Sequence, residues 1–184
     1  MTASVDHLKE KLPDHARDLR INLGVLSAEG VLTPRQRWGT ALASALAARN
    51  AEVVRAVAAA AATHLDEPAT QAAHAAASIM AMNNVYYRFL HFTGGDASPY
   101  KAIPARLRMQ VIGNPGVDHA DFELWCLAAS AITGCETCVQ SHERVVTQKG
   151  LSHAHVHEAV RIAAIVHALA ATLDGVDALA AAAA

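Results

Sequence analysis

The sequence lacks the features that mark several large classes of proteins. Its 184 residues carry a formal net charge of −2, and aromatic residues make up only 4% of them. A near-neutral chain offers no surface for a polyanion, and an apolar fraction of 53% is too high for a disordered chain. No two-residue hairpin signal separates alternating apolar and polar runs. The sequence therefore predicts neither a nucleic-acid-binding protein nor a β-sheet protein.

Long uninterrupted apolar runs are also missing. No stretch of about 18 apolar residues occurs without a His, Asp or Arg, so no membrane segment is predicted. The first ten residues lack the charged-then-apolar pattern of a signal peptide. We therefore predict a cytoplasmic protein. Thiols in the cytoplasm are kept reduced, so a close pair among the three cysteines favours catalysis over a structural disulfide.

Alanine dominates the chain, and the helix signals are clear. Thr33, Pro34 and Gln36 form a capping box with proline at the first helical position, and Asp66 and Ser152 are candidate N-caps. We predict a single all-α domain over residues 1–184. The predicted helices cover residues 5–11, 13–22, 34–48, 50–62, 67–92, 102–111, 119–133, 135–149 and 152–173, and residues 178–184 are expected to fray.

The chain also resembles itself when it is shifted by 86 residues without a gap. The aligned pairs include Gly30 with Gly116 and Ser44 with Ser130, and Cys135 stands opposite Arg49. The alignment predicts two related helical halves, a degenerate one at about 15–95 and a catalytic one at about 101–175.

The second half contains the most informative motif, Cys135 and Cys138 followed by His142. Residues three and four apart share one face of a helix, so these side chains are expected to form a single stripe. A free cysteine has a pKa of about 8.5, and its thiolate is the reactive form. A helix N-terminus and a nearby histidine both favour the thiolate. The spacing therefore indicates dithiol redox chemistry.

Two other interpretations of this motif remain open. The cysteine pair with His142 resembles half of a zinc site, with Cys126 as a further ligand. Cys126, however, lies nine residues before Cys135, which is about 13 Å along a helix axis. Alternatively, both cysteines only pack in the core, as we expect for Cys126 itself.

Further candidates lie outside the motif. Glu123 is twelve residues before Cys135, and a turn at Gly134 would fold its helix back beside His142. A carboxylate there would orient the imidazole and raise its basicity, whereas the competing interpretation is a solvated surface glutamate. His153 and His157 share one helical face with His155 between them. They are a possible metal pair or simply a solvated first turn, and we predict no metal site.

Taken together, Glu123, Cys135, Cys138 and His142 resemble the alkyl hydroperoxidase D family of the carboxymuconolactone decarboxylase-like superfamily. The likeness extends over nearly the whole chain, including residues 38–45 and 79–88. It implies an all-helical homotrimer without a bound cofactor that reduces organic hydroperoxides. It further implies electrons from dihydrolipoamide on a lipoylated 2-oxoacid dehydrogenase subunit, and reduction of a partner peroxiredoxin, alkyl hydroperoxide reductase C.

The resemblance also assigns a role to each site residue. Cys138 is the attacking thiol, which passes through a sulfenic acid and forms the mixed disulfide with the peroxiredoxin. Cys135 donates a proton and then resolves the intermediate as a Cys135–Cys138 disulfide, while Glu123 and His142 form the proton relay. One departure is Thr137, where the family often has histidine; a hydroxyl does not titrate near neutral pH.

Two alternative functions differ in class. A redox adaptor would only pass electrons between protein disulfides, without significant direct peroxidase activity. A decarboxylase-like enzyme of the same superfamily is disfavoured because that chemistry has no need of two thiols.

Overall fold

The computed structural model describes residues 5–182, and all regular structure in this part of the chain is helical. The prediction of an all-α domain is therefore confirmed. The described helices are α1 (Val5–Lys11), α2 (Arg17–Asn22), α3 (Pro34–Ala48), α4 (Ala51–Ala61), α5 (Glu67–Phe92), α6 (Gln110–Gly113), α7 (His119–Thr133), α8 (Glu136–Gln148) and α9 (His153–Ala182).

The sequence predicts side-chain caps at three helix starts, and the structure contains those of α3 and α5. Thr33 and Gln36 each accept a hydrogen bond from the other's backbone N–H, which is the expected capping box of α3. Asp66 accepts a hydrogen bond from the Ala69 N–H at the start of α5. Ser152 directly precedes α9, and its hydroxyl lies 2.8 Å from Nδ1 of His155.

Three predicted helix bounds are wrong. Of the helix predicted at 102–111, only residues 110 and 111 are α-helical, as the start of α6, because Ile103 before Pro104 is extended and Arg106 has a φ of 51°. The helix predicted at 13–22 begins at Arg17, after a 3₁₀ turn. The last helix does not end at residue 173 or fray at 178, since the alanine-rich chain stays helical to Ala182.

The core forms where α3 crosses α7, with α5 and α9 packed against both. Gly39 lies at this crossing, against the fully buried indole of Trp125. The Trp125 Nε1–H donates a hydrogen bond of 3.2 Å to the carbonyl of Gln36, one turn of α3 away from Gly39. The crossing therefore holds α7, the helix of Glu123, in a fixed position.

We expect Gly39→Ala to destabilise the fold. A Cβ atom at residue 39 would lie 2.1 to 2.5 Å from three atoms of the Trp125 ring, which has no free space to move into. Overpacking of this kind costs about 1–3 kcal/mol. Gly175→Ala is the matched control, because no atom lies within 4 Å of that Cβ position in α9. It should stabilise the protein by about 0.5–1 kcal/mol. Urea unfolding measures both, and equal midpoints would contradict this packing.

The helix order is the one expected for two related halves, since α3, α4 and α5 are followed by α7, α8 and α9. The first residues of the paired helices are 85 residues apart for α3 and α7 and for α4 and α8, and 86 apart for α5 and α9. The helix bounds therefore place Asn50, and not Arg49, opposite Cys135, and both are N-caps. Superposition of residues 34–92 on the second half would test the duplication, which stays a prediction.

Within residues 5–182, α9 is long and apolar enough to cross a membrane, judged by length and composition alone. One such helix is weak evidence for a membrane segment, because core helices have the same composition. One side of α9 is buried against the rest of the fold, including Ile162, Val166 and Leu169. Packing in the core thus accounts for the apolar residues on this side of α9.

Candidate active site

The turn between α7 and α8 brings the cysteine pair into the interior. Gly134 ends α7 with a φ of 69°, a conformation that glycine adopts without steric cost, and the chain reverses there. Cys135 is the N-cap of α8 and has an extended backbone, and Cys138 follows in the first turn of that helix. The expected placement of both cysteines at a helix start is confirmed.

Cys135 and Cys138 are joined as a disulfide, with their Cα atoms 5.3 Å apart. The surroundings of the two sulfurs differ. Cys135 is 0% exposed, whereas Cys138 is 5% exposed and lines a cavity of about 340 Å³. Only Cys138 of this pair is therefore on the wall that a small molecule can approach.

Glu123 and His142 form a buried pair beside the disulfide. Nδ1 of His142 lies 2.6 Å from Oε2 of Glu123. His142 is 8% exposed and Glu123 is 3% exposed. The alternative of a solvated surface glutamate is therefore wrong. A carboxylate accepts the Nδ1–H, which leaves Nε2 as the nitrogen that can exchange a proton. Both side chains line the same cavity as Cys138.

Two neighbours of this pair were not among the predicted site residues. The sulfur of Met80 lies 3.1 Å from Nε2 of His142, which is the ring nitrogen that does not contact Glu123. Nε2 of His119 lies 3.9 Å from Oε1 of Glu123 and 2.8 Å from the carbonyl of Ile112. His119 precedes Glu123 by one helical turn, a spacing that would have indicated it. Met80 is 62 residues from His142 in sequence, and no local pattern connects them.

The cavity is closed by residues from four parts of the chain. Asn83 and Tyr87 come from α5, and Met109 and Ile112 from the segment around α6. Thr137, at the position where the family often has histidine, is exposed at the edge of the cavity. Glu123 comes from α7, and the remaining wall is formed by side chains of α8, namely Cys138, Ser141, His142 and Val145.

Cys126 is a separate, buried thiol. It is 0% exposed and free, as expected for a core residue. Burial raises the pKa of this thiol well above its usual value, and the nearby charge of Glu123 raises it further. Cys126 is therefore unreactive at neutral pH.

The histidines at the start of α9 do not gather around a common point. His153 is exposed and lies 3.8 Å from Glu143, while His155 contacts Ser152. Within residues 5–182, no group of three or more His, Cys, Asp or Glu side chains has an arrangement that could hold a metal ion.

An all-helical domain with a buried dithiol beside a carboxylate–imidazole pair defines a class of redox proteins, and comparison with known proteins identifies the family. Residues 99–183 match the Carboxymuconolactone decarboxylase family. The chain is similar over almost its full length to proteins named alkyl hydroperoxide reductase AhpD. The relative from Rhodospirillum centenum is 55% identical over 176 residues, which is 96% of this chain and 94% of the relative.

Other relatives of the same name agree with this similarity. The one from Gluconacetobacter diazotrophicus is 56% identical over 176 residues, covering 96% of each chain. The one from a Bradyrhizobium species is 49% identical over 171 residues, covering 93% of each chain. The protein thus belongs to the alkyl hydroperoxide reductase AhpD family, as its sequence motifs indicate.

Proposed function

We propose that the protein is an antioxidant thiol peroxidase of the cytoplasm, which reduces organic hydroperoxides with its Cys135–Cys138 dithiol and also reduces a partner peroxiredoxin. The observation that carries the proposal is the unequal placement of the two sulfurs. Cys138 lines a cavity together with Glu123 and His142, and Cys135 is fully buried beside it. The names of the relatives, alkyl hydroperoxide reductase, support the same reaction class.

In the first step, the Cys138 thiolate attacks the terminal oxygen of the hydroperoxide. The O–O bond breaks, an S–O bond forms, and the leaving alkoxide takes up a proton to become the alcohol. Cys138 is thereby oxidised to a sulfenic acid. The Cys135 thiol then attacks this sulfur, and a water molecule leaves as the disulfide forms. The peroxide gains two electrons, which the dithiol loses.

The Glu123–His142 pair supplies the proton movements. His142 accepts the Cys138 proton, and the resulting imidazolium is stabilised by the Glu123 carboxylate 2.6 Å from its Nδ1. The same proton is then available for the alkoxide. The thioether of Met80 is only a weak hydrogen-bond acceptor, so its contact with Nε2 does not hold the proton there.

We propose dihydrolipoamide, carried by a lipoylated 2-oxoacid dehydrogenase subunit, as the donor that returns two electrons to the disulfide. One of its thiolates attacks Cys138, Cys135 leaves as a thiol, and the second donor thiol releases the reduced protein as lipoamide forms. The reduced dithiol also cleaves the disulfide of the peroxiredoxin, alkyl hydroperoxide reductase C, through a mixed disulfide at Cys138. We further propose that the protein acts as a homotrimer and without a bound cofactor.

A coupled assay tests this function. Lipoamide dehydrogenase, NADH and lipoamide supply the electrons, tert-butyl hydroperoxide is the substrate, and NADH oxidation is the readout. We expect turnover that depends on both the protein and lipoamide, and faster turnover when the peroxiredoxin is added. A parallel reaction with thioredoxin, thioredoxin reductase and NADPH should be slow. The reason is that Cys138 is recessed and is reached more easily by a small dithiol than by the surface of a protein.

The same assay separates the competing functions. Turnover only when the peroxiredoxin is present would identify a redox adaptor without direct peroxidase activity. Turnover with thioredoxin and not with lipoamide would refute the proposed donor. Absence of turnover in every combination would refute the function itself.

A further inference from the structure

A groove of about 670 Å³ adjoins the catalytic cavity, and the dithiol chemistry does not use it. Its walls are the second half of α5, part of the segment 95–105 and the exposed side of α8. Tyr87 and Thr137 line both the groove and the cavity of Cys138. The two spaces therefore adjoin at these two side chains, next to the attacking sulfur.

Much of the groove lining is apolar, although Thr137 and Gln140 of α8 are polar. Its lining includes Tyr86, Tyr87, Leu90, Ile103 and Pro104, and the side chain of Ile103 is 59% exposed. The wall at residues 103–105 exists because the chain there is not helical, contrary to the sequence-based prediction. Contact with an aliphatic chain would remove this apolar surface from water, which is favourable.

The groove also carries a cation. Lys101 contacts Asp96 just beyond the C-terminus of α5. Asp96 is almost fully exposed, and such surface pairs are weak, so Lys101 can pair with another carboxylate instead. The catalytic cavity is at Asn83 on the same helix, about 13 Å along its axis from Phe92. An aliphatic chain that follows α5 from the catalytic cavity towards Lys101 would cover about this length.

The cavity itself contains an unused hydrogen-bond acceptor. Asn83 is 4% exposed, and its buried Oδ1 has no hydrogen-bond partner among the described residues. Buried amide oxygens are nearly always paired, so this one indicates a site for an O–H donor. The hydroperoxide O–H group is such a donor, and Asn83 lines the same cavity as Cys138.

We propose that the joined cavity and groove bind fatty-acid hydroperoxides, with the –OOH group at Asn83 and Cys138, the aliphatic chain along Tyr87 and Ile103, and the carboxylate at Lys101. This inference rests on the proposed function, because it names the substrate class of the same site. The reaction and its electron balance are those of the dithiol cycle at Cys138. Small hydroperoxides use the cavity alone and gain nothing from the groove.

Binding can be tested without turnover, on the disulfide form of the full-length protein. The probes are octanoate and octan-1-ol, which share a chain and differ in charge, and the readout is calorimetric titration. We expect octanoate to bind more tightly than octan-1-ol. Ile103→Glu places a carboxylate in the groove and should weaken octanoate binding at least about tenfold. Lys101→Gln should remove the preference for octanoate over the alcohol.

Ile21→Glu is the matched control, because Ile21 is 67% exposed on α2 and does not line the groove. It should leave octanoate binding unchanged. Equal binding in Ile103→Glu and Ile21→Glu, or no binding to the unsubstituted protein, would overturn the proposal. A loss of oligomer mass in Ile103→Glu during sedimentation, with octanoate binding unchanged, would also overturn it and assign this face to a contact between protomers.

Turnover provides the second test. It distinguishes failure of the substrate assignment from failure of the proposed function. In Ile103→Glu, kcat/KM for linoleic acid hydroperoxide should fall at least about tenfold, while the value for tert-butyl hydroperoxide stays the same. Asn83→Leu should slow both substrates, because both carry the –OOH group. Equal losses on the two substrates in Ile103→Glu, or a raised KM for dihydrolipoamide alone, would refute the substrate assignment. No turnover of either substrate by the unsubstituted protein would instead refute the proposed function.

Discussion

Cys138→Ser is expected to abolish peroxide reduction, whereas Cys135→Ser should still complete the first chemical step. Cys138 lines the cavity beside Glu123 and His142, and Cys135 is fully buried. Cys135 is closer to the helix start, but a surface dipole effect is worth only about 0.3–1 kcal/mol. A histidine base can accept a thiol proton outright, so we assign the attack to Cys138.

Mass spectrometry after one equivalent of hydroperoxide measures the outcome. In Cys135→Ser, a sulfenic acid should accumulate on Cys138, and added peroxiredoxin should be trapped as a mixed disulfide that nothing resolves. In Cys138→Ser, neither adduct should form. Cys126 is the internal control, because burial raises its pKa and should keep it unmodified in both variants. An adduct on Cys135 alone would reverse the assignment.

Glu123→Gln and His142→Phe are each expected to slow peroxide turnover by about 10²–10⁴-fold, the usual contribution of general acid–base catalysis. Glutamine keeps the shape and a hydrogen-bond acceptor for Nδ1 of His142, but it lacks the charge that stabilises the imidazolium. Phenylalanine fills the place of the ring and cannot carry a proton. Both variants therefore act on proton transfer and should remain folded.

The measurement is steady-state turnover together with the rate of Cys138 alkylation by iodoacetamide, which reports the thiolate fraction. Both rates should fall in the two variants, while both proteins remain folded in the absence of urea. Glu143→Gln is the control. Glu143 is a partly exposed carboxylate on α8, the helix of His142, and it pairs with His153. Rates in Glu123→Gln and His142→Phe equal to the control would leave the helix N-terminus as the main activator of the thiol.

Much of the fold could be predicted because the relevant interactions are local. Thr33, Gln36 and Asp66 cap helices through residues three positions apart, and such bonds need no tertiary contact. The helix predicted around Pro104 is wrong although one cause is also local, since the residue before a proline disfavours the helical conformation and Ile103 is extended. The positive φ of Arg106 interrupts the same segment. The final helix is extended by alanine propensity beyond the predicted end.

In the candidate site, too, the residues that could be predicted are those with local contacts. The spacing of Cys135, Cys138 and His142 is a property of one helix turn, so the sequence alone indicates that they share a face. Glu123 could be predicted because Gly134 reverses the chain over a short distance. Met80 could not be predicted, because its contact with His142 joins α5 to α8 across 62 residues.

The sequence by itself determined the dithiol, the helix starts and the class of chemistry, because each depends on residues within about one or two helical turns. Only the tertiary structure decided which sulfur faces the cavity, how deeply Glu123 is buried and where a groove adjoins the site. The physical reason is that burial and cavities depend on how distant helices pack, and side-chain shape at the α3–α7 crossing sets that packing. A linear pattern specifies which side chains share a helix face but not what covers that face.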